Sequence, residues 1–139
     1  MSSEVIGRDV AEKDFERWAT AMRLGRKLDP AKLDDEDKKG LALIKGTLLD
    51  AIQDGLLVVD TEGRFVLSST VKGTPFSLTF NKPKGADLMA IDQAKADETV
   101  KKTVKFLAST TGQNAPFFST IDLADFAICD AIATLFLSR

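Results

Sequence analysis

Histidine and tyrosine are absent from this chain of 139 residues, and cysteine occurs only once, at Cys129. The lack of histidine removes the commonest general base, the commonest metal ligand and every Ser-His or Cys-His pair. A single cysteine cannot form a disulfide within the chain, and a zinc site is not expected. Cys129 lies in an apolar run and is expected to be a buried thiol. The sequence therefore predicts no metal, no cofactor and no catalytic site of a familiar type.

Two further groups of motifs are missing. The nine glycines are scattered singly, and no phosphate-binding GxxxxGK[ST] or GxGxxG pattern runs through them. The densest carboxylate group is formed by residues 34–37. A calcium-binding loop that began at Asp29 would need glycine at its sixth position, and that position is Asp34. We expect this group to be the solvated start of a helix, where the helix dipole favours negative charge. An enzyme of unfamiliar type built on carboxylates is left open as an alternative.

The chain also lacks an excess of one charge and a long apolar run. It carries 19 Lys and Arg against 21 Asp and Glu, for a net charge of −2, so the basic excess typical of nucleic-acid binding is missing. No stretch approaches the ~20 apolar residues of a membrane span, and the N-terminus lacks the apolar segment of a signal peptide. These observations predict a cytoplasmic protein that binds neither nucleic acid nor membranes.

Two amphipathic helices are predicted in the first 55 residues. The first covers residues 9–27, and Asp9 at its start resembles a side-chain cap. The second covers residues 35–54 and is followed by Gly55, which is expected to take the left-handed conformation that ends many helices. The apolar stripe of the second helix is formed by Leu41, Ile44, Leu48 and Ile52.

The same two helices suggest an alternative function, a small DNA-binding regulator of the helix-turn-helix type. Its phosphate contacts would be Arg17, Arg23, Arg26 and Lys27. The connection between the helices is long for that motif and ends in the acidic group, which argues against it.

Residues 56–80 are predicted to form a three-stranded antiparallel meander. Residues 56–59 and 64–67 are β-prone and flank a short loop that ends in Gly63, which is a hairpin signal. Residues 76–80 alternate apolar and polar side chains as a half-buried strand does.

Three helices are predicted after the meander, near residues 86–96, over 98–111, and from about 120 to 137. The last one is apolar on nearly all sides, so it should be buried on more than one side. It is either the central helix of the core or a surface for another chain, and the two interpretations are compatible. The prediction is an α+β fold, mainly helical, in a single domain over residues 1–139, with a shift in composition near Gly55.

Four short segments in the C-terminal half resemble, in order and spacing, those of a known family. They are FSLTFNKPKGADL at residues 76–88, FLASTTG at 106–112, IDLADF at 121–126 and LFL at 135–137. They are similar to the strand-then-RPTAGDL element, the LIARLTG helix end, the LDAADF helix start and the terminal FL of the small tail assembly chaperones of Mu-like and related tailed phages. The resemblance covers about residues 64–138, so residues 1–55 would be an added helical segment before a family-like segment at 56–139.

This resemblance implies a non-catalytic assembly factor in the cytoplasm of the host cell. Its partners would be the tape measure protein and the tail tube protein, which such chaperones keep soluble until the tail polymerises, and we also expect self-association. Because a tape measure protein is long and helical, its chaperone needs apolar surface for amphipathic helices. The candidate protein-binding residues are Phe117, Phe118, Phe126, Phe136 and Leu137.

The last helix should divide its side chains between two roles. Its stripe of Ile128, Ile132 and Leu135 is expected to face the core. Some of Phe126, Ala133, Phe136 and Leu137 must then point elsewhere, and they are the expected interaction surface.

Overall fold

Six helices and a three-stranded sheet form the part of the chain that the structure describes. This computed structural model describes residues 6–24, 31, 33–68, 76–89 and 99–137. The elements are α1 (Arg8–Ala21), α2 (Asp35–Gln53), β1 (Leu57–Val59), β2 (Phe65–Ser68), β3 (Ser77–Phe80), α3 (Gly85–Met89), α4 (Thr99–Thr111), α5 (Phe117–Thr120) and α6 (Leu123–Leu137). The predicted α+β class, with a meander between N-terminal and C-terminal helices, is confirmed. The single turn α5 is an addition, because that segment was expected to be a connection.

The first helix is shorter than predicted. It ends at Ala21 because Arg23 adopts the left-handed conformation, with φ at 59°, and the N–H of Leu24 donates to the carbonyl of Ala19 at 2.9 Å. In this helix-ending motif, the left-handed position is usually occupied by glycine. An arginine at that position gives no signal in the sequence, and residues 25–27 of the predicted helix lie outside the described residues.

Of the predicted helix starts and ends, the cap of the first helix is wrong, and both ends of the second helix are confirmed. The proposed cap at Asp9 is wrong, since α1 begins one residue earlier with Gly7 as its N-cap and without a side-chain hydrogen bond there. At α2 the carboxylate of Asp34 accepts the N–H of Asp37 at 2.8 Å, as expected for an acidic helix start. Gly55 has φ at 79°, which confirms its predicted role at the end of α2.

The sheet is an antiparallel meander in the order β1-β2-β3. One face is buried and carries Leu57, Phe65, Leu67, Leu78 and Phe80. The ring of Trp18 from α1 stacks on Phe65, with centroids 4.4 Å apart. The alternation read from residues 76–80 is confirmed, because Leu78 and Phe80 are buried while Ser77 is exposed.

The hairpin between β1 and β2 closes around one carboxylate. Asp60 Oδ1 accepts the N–H groups of Glu62 and Arg64 at 2.9 and 2.8 Å, and Oδ2 accepts Arg64 Nε at 2.9 Å. Desolvation raises the pKa of Asp60, but the hydrogen bonds from Arg64 and Glu62 outweigh it and hold that pKa below its ordinary value. Gly63 has φ at 83°, which confirms the glycine-closed turn.

Helix α1 is fastened to this hairpin by one arginine. The guanidinium of Arg17 donates to the carbonyl of Asp60 at 2.7 Å and to the carbonyl of Val59 at 2.9 Å. Because β1 lies at the edge of the sheet, α1 thereby caps the end of an edge strand.

Helix α6 is the central helix of the core. Its predicted stripe of Ile128, Ile132 and Leu135 is buried, and α6 packs between α2 and α4. One cluster of buried side chains joins residues of α1, α2, the sheet, α4 and α6. Cys129 lies inside it, so the expected buried thiol is found, and burial raises the pKa of that thiol to about 12.

Candidate protein-binding grooves

The five predicted binding residues occupy different environments. Phe118 is buried, whereas Phe117, Phe126, Phe136 and Leu137 are half-buried. Phe117 meets the rings of Phe76 and Phe118 at centroid distances of 5.4 and 5.1 Å. The ring of Phe136 lies 5.7 Å from that of Trp18 and 5.9 Å from that of Phe106. Phe136 is therefore engaged in contacts within the chain, and Ala133, another candidate for an outward position, is fully buried.

Phe118 and Phe126 are the two predicted residues that line an apolar groove. This α4–α5–α6 groove has a volume of about 360 Å³. It is lined by Val100, Val104, Ala115, Phe118, Ser119, Ile121, Leu123 and Phe126, and this set contains no charged side chain. Two large aliphatic side chains at the groove are exposed to solvent, Leu123 to 80% and Val100 to 68%. Exposed apolar surface of this kind, next to a cavity, is typical of an interaction site.

The groove exists because the chain turns sharply before α6. The one-turn helix α5 begins where Asn114 Oδ1 accepts the N–H of Phe117 at 3.1 Å. Ile121 then adopts an extended conformation, and Asp122 accepts the N–H of Ala124 at 3.0 Å to start the next helix. Leu123, as the first residue of α6, is left on the surface instead of facing the core.

A second groove, the α2–α6 groove, has a volume of about 410 Å³. It is lined by Leu43, Ile44 and Thr47 of α2 and by Ala127, Asp130, Ala131 and Thr134 of α6. Leu43 is 76% exposed. Sequence reasoning missed this site, although a signal was present: Leu43 is an apolar residue that stands outside the helical stripe of α2.

Two segments that carry the family resemblance contact each other. Asn81 donates through its backbone N–H and its side-chain amide to the carbonyl of Thr110, at 3.1 and 2.9 Å. The carboxylate of Asp87 accepts the hydroxyl of Ser109 and, at 2.6 Å, the backbone N–H of Lys84. The NKPKGAD segment is thus tied to the end of α4. These polar residues connect the segment to α4 and do not line either groove.

Two of the four residues proposed as phosphate contacts, Arg17 and Arg23, lie in the described part of the chain. Arg17 is held by two carbonyls of the hairpin, and Arg23 occupies the left-handed residue after α1. Arg26 and Lys27 lie outside the described residues. Elsewhere on α1, Arg8 is paired with Asp50 at 2.7 Å.

Comparisons with protein-family models, with curated proteins and with solved structures found no match for this chain. Within the described ranges, no helix is long and apolar enough to cross a membrane. In that same part of the chain no cluster of three or more Cys, Asp or Glu side chains could hold a metal ion. The two grooves beside α6 carry three exposed large apolar side chains, those of Leu43, Val100 and Leu123.

Proposed function

We propose that this protein is a non-catalytic tail assembly chaperone of a tailed phage, acting in the host cytoplasm on the tape measure and tail tube proteins. The α4–α5–α6 groove would receive apolar side chains from a helix of the client. The observation that carries this proposal is the apolar lining of the groove together with the exposure of Leu123 to 80% and of Val100 to 68%.

The physical argument concerns the surface that a client would cover. Burying a leucine or valine side chain contributes about 1.5–3 kcal/mol. A client helix with apolar residues at i, i+3, i+4 and i+7 would cover Leu123 and Val100 together and insert a side chain between them. A lining without charge suits such a helix because no carboxylate or ammonium group has to be desolvated.

The resemblance of residues 64–138 to tail assembly chaperones supports the same proposal. One of the resembling segments, residues 121–126, lines the groove through Ile121, Leu123 and Phe126, and another, residues 106–112, ends the helix α4 whose Val100 and Val104 line it as well. Asp122 caps the start of α6 between the lining residues Ile121 and Leu123, and Asn81 bonds the end of α4.

The test is binding of the tape measure protein encoded by the same genome. The two proteins are co-expressed, and the affinity is measured by calorimetry for wild type, Leu123→Asp and Val10→Asp. Leu123→Asp should weaken binding by about tenfold or more, since it places a charge inside the apolar contact. Val10 is an exposed apolar residue of α1, so Val10→Asp is the matched control and should bind as wild type. A wild-type protein that leaves the tape measure protein unbound, or equal binding by Leu123→Asp, would contradict the proposal.

The DNA-binding alternative is tested on the same preparation. Titration with duplex DNA at ~150 mM salt should show nothing stronger than the weak non-specific range of about 10⁻⁴ M. Submicromolar, salt-sensitive binding would favour a regulator that uses α1 and α2.

A further inference from the structure

The α2–α6 groove shares no lining residue with the α4–α5–α6 groove and plays no part in the proposal above. We propose that it is a second docking site, for an amphipathic helix of another protein that places a lysine or arginine beside Asp130. This inference does not depend on what occupies the α4–α5–α6 groove.

The shape of the groove suits a helix. Its α6 side carries the small residues Ala127 and Ala131, which let the backbone of a third helix approach closely. Its α2 side carries Leu43 and Ile44, and Leu43 exposes 76% of its surface, which a docked helix would cover. A helix seated between two others can pack against both of them.

The charge of the groove selects the partner. Asp130 is exposed and is the only charged residue among the seven that line the groove. Asp50 and Asp54 continue the row of Leu43 toward the C-terminus of α2 at helical spacing, where Asp50 is already paired with Arg8 at 2.7 Å, and Lys39 precedes Leu43 in the same row. A partner with a cationic side chain at this position gains attraction, and one with a carboxylate is repelled.

The same charge argues against a second copy of this chain in a two-fold dimer. In a symmetric interface the same patch contacts itself, so the two Asp130 carboxylates would be enclosed together. No lysine or arginine lines the groove to compensate them. Removing such charges from water without a partner is costly.

The experiment uses three synthetic helical peptides of about 18 residues, long enough to form a helix in water. All three have leucine and alanine on one face, and the opposite face carries lysine, glutamine or glutamate. Fluorescence anisotropy with the full chain should give the tightest binding for the lysine peptide and the weakest for the glutamate peptide. Leu43→Gln should weaken the lysine peptide about tenfold. Asp130→Asn should weaken it roughly two- to fivefold, as for an exposed ion pair, and leave the glutamine peptide unchanged.

Two matched controls locate the site. Leu123→Gln removes an equally exposed leucine from the other groove, and Glu12→Gln removes an exposed carboxylate of α1. Both should bind the lysine peptide as wild type does. Equal binding of the lysine and glutamate peptides, full binding by Leu43→Gln, or loss of binding in Leu123→Gln would overturn the inference. A dimer that Leu43→Gln dissociates in sedimentation velocity would overturn it as well. If the chain failed to bind the tape measure protein, the inference about the α2–α6 groove would still stand, because that result concerns the other groove.

Discussion

Gly63 lies where the hairpin turn meets α1, and two constraints act on it. Its φ of 83° is in the left-handed region, which costs a residue with a side chain about 1–2 kcal/mol. A Cβ atom added there would also lie 2.5 Å from the Cβ of Ala21. The neighbouring atom belongs to a short side chain on a helix and cannot rotate away. The hairpin and α1 therefore approach each other at a point where only glycine fits.

Gly63→Ala should consequently cost about 3 kcal/mol of unfolding free energy, the sum of backbone strain and overpacking. Gly112→Ala is the matched control: its φ is 76°, but nothing lies within 4 Å of the added Cβ, so only the strain of about 1–2 kcal/mol applies. Urea unfolding of both variants measures the difference. Adding Ala21→Gly to Gly63→Ala should recover part of the loss, as a favourable coupling in a double-mutant cycle. Equal losses at positions 63 and 112 would mean that α1 and the turn are not in close contact.

At the scale of elements, one side of α6 is buried in the core, and the other side separates the two grooves and lines part of each. Ile128, Ile132 and Leu135 face the core. The opposite side carries Leu123, Ala127 and Asp130, which line the grooves. This arrangement makes the helix both the centre of the core and part of a surface, as its apolar sequence allowed.

This division predicts opposite effects for two substitutions in α6. Phe136→Asp should unfold the protein, because it removes the ring contacts with Trp18 and Phe106 and places a carboxylate among them, at a cost of about 3–5 kcal/mol. Leu123→Asp should change stability by no more than about 0.5 kcal/mol, since the side chain is exposed and begins a helix. Circular dichroism melting compares them. A folded Phe136→Asp variant that has lost self-association would restore Phe136 to the interaction surface.

At the scale of the whole molecule, the helices α1 and α2 share one core with the sheet, α4 and α6. Trp18 of α1 packs against Phe65 of the sheet and Phe136 of α6. Helix α2 lies along α6, and its Leu48 and Ile52 are buried in the same cluster. Helices α1 and α2 are thus packed into the core and are not simply attached to it.

We therefore expect that residues 56–139 do not fold alone. Without α1 and α2, the buried faces of the sheet and of α6 would be open to water, a loss larger than the stability of about 5–15 kcal/mol that small domains have. The fragment should show weak helical circular dichroism and no cooperative melting, whereas the full chain should unfold in a single transition. A fragment that melts cooperatively would identify residues 56–139 as a separable unit.

The surroundings of the candidate binding residues followed less directly from the sequence than the elements did. Phe118 and Phe126 line a groove, while Phe136 turned out to contact Trp18 and Phe106. Val100, Leu123 and Leu43 are the most exposed large apolar residues at the grooves, and none of them was predicted. Exposure depends on which neighbouring element covers a side chain, and a helical period gives only the direction in which that side chain points.

The sequence by itself determined most of the elements, because local rules suffice for them: apolar spacing marks α2, α4 and α6, alternation marks β3, and glycine ends α2 and closes the hairpin at Gly63. Only the tertiary structure decided where α1 ends, since an arginine there takes a conformation that glycine usually occupies. It alone also decided that the turn at residues 121–122 leaves Leu123 outside, and that α2 and α4 flank α6 so that a groove forms on each side. The packing of α2 and α4 against α6 depends on contacts between residues far apart in the chain, which no local pattern encodes.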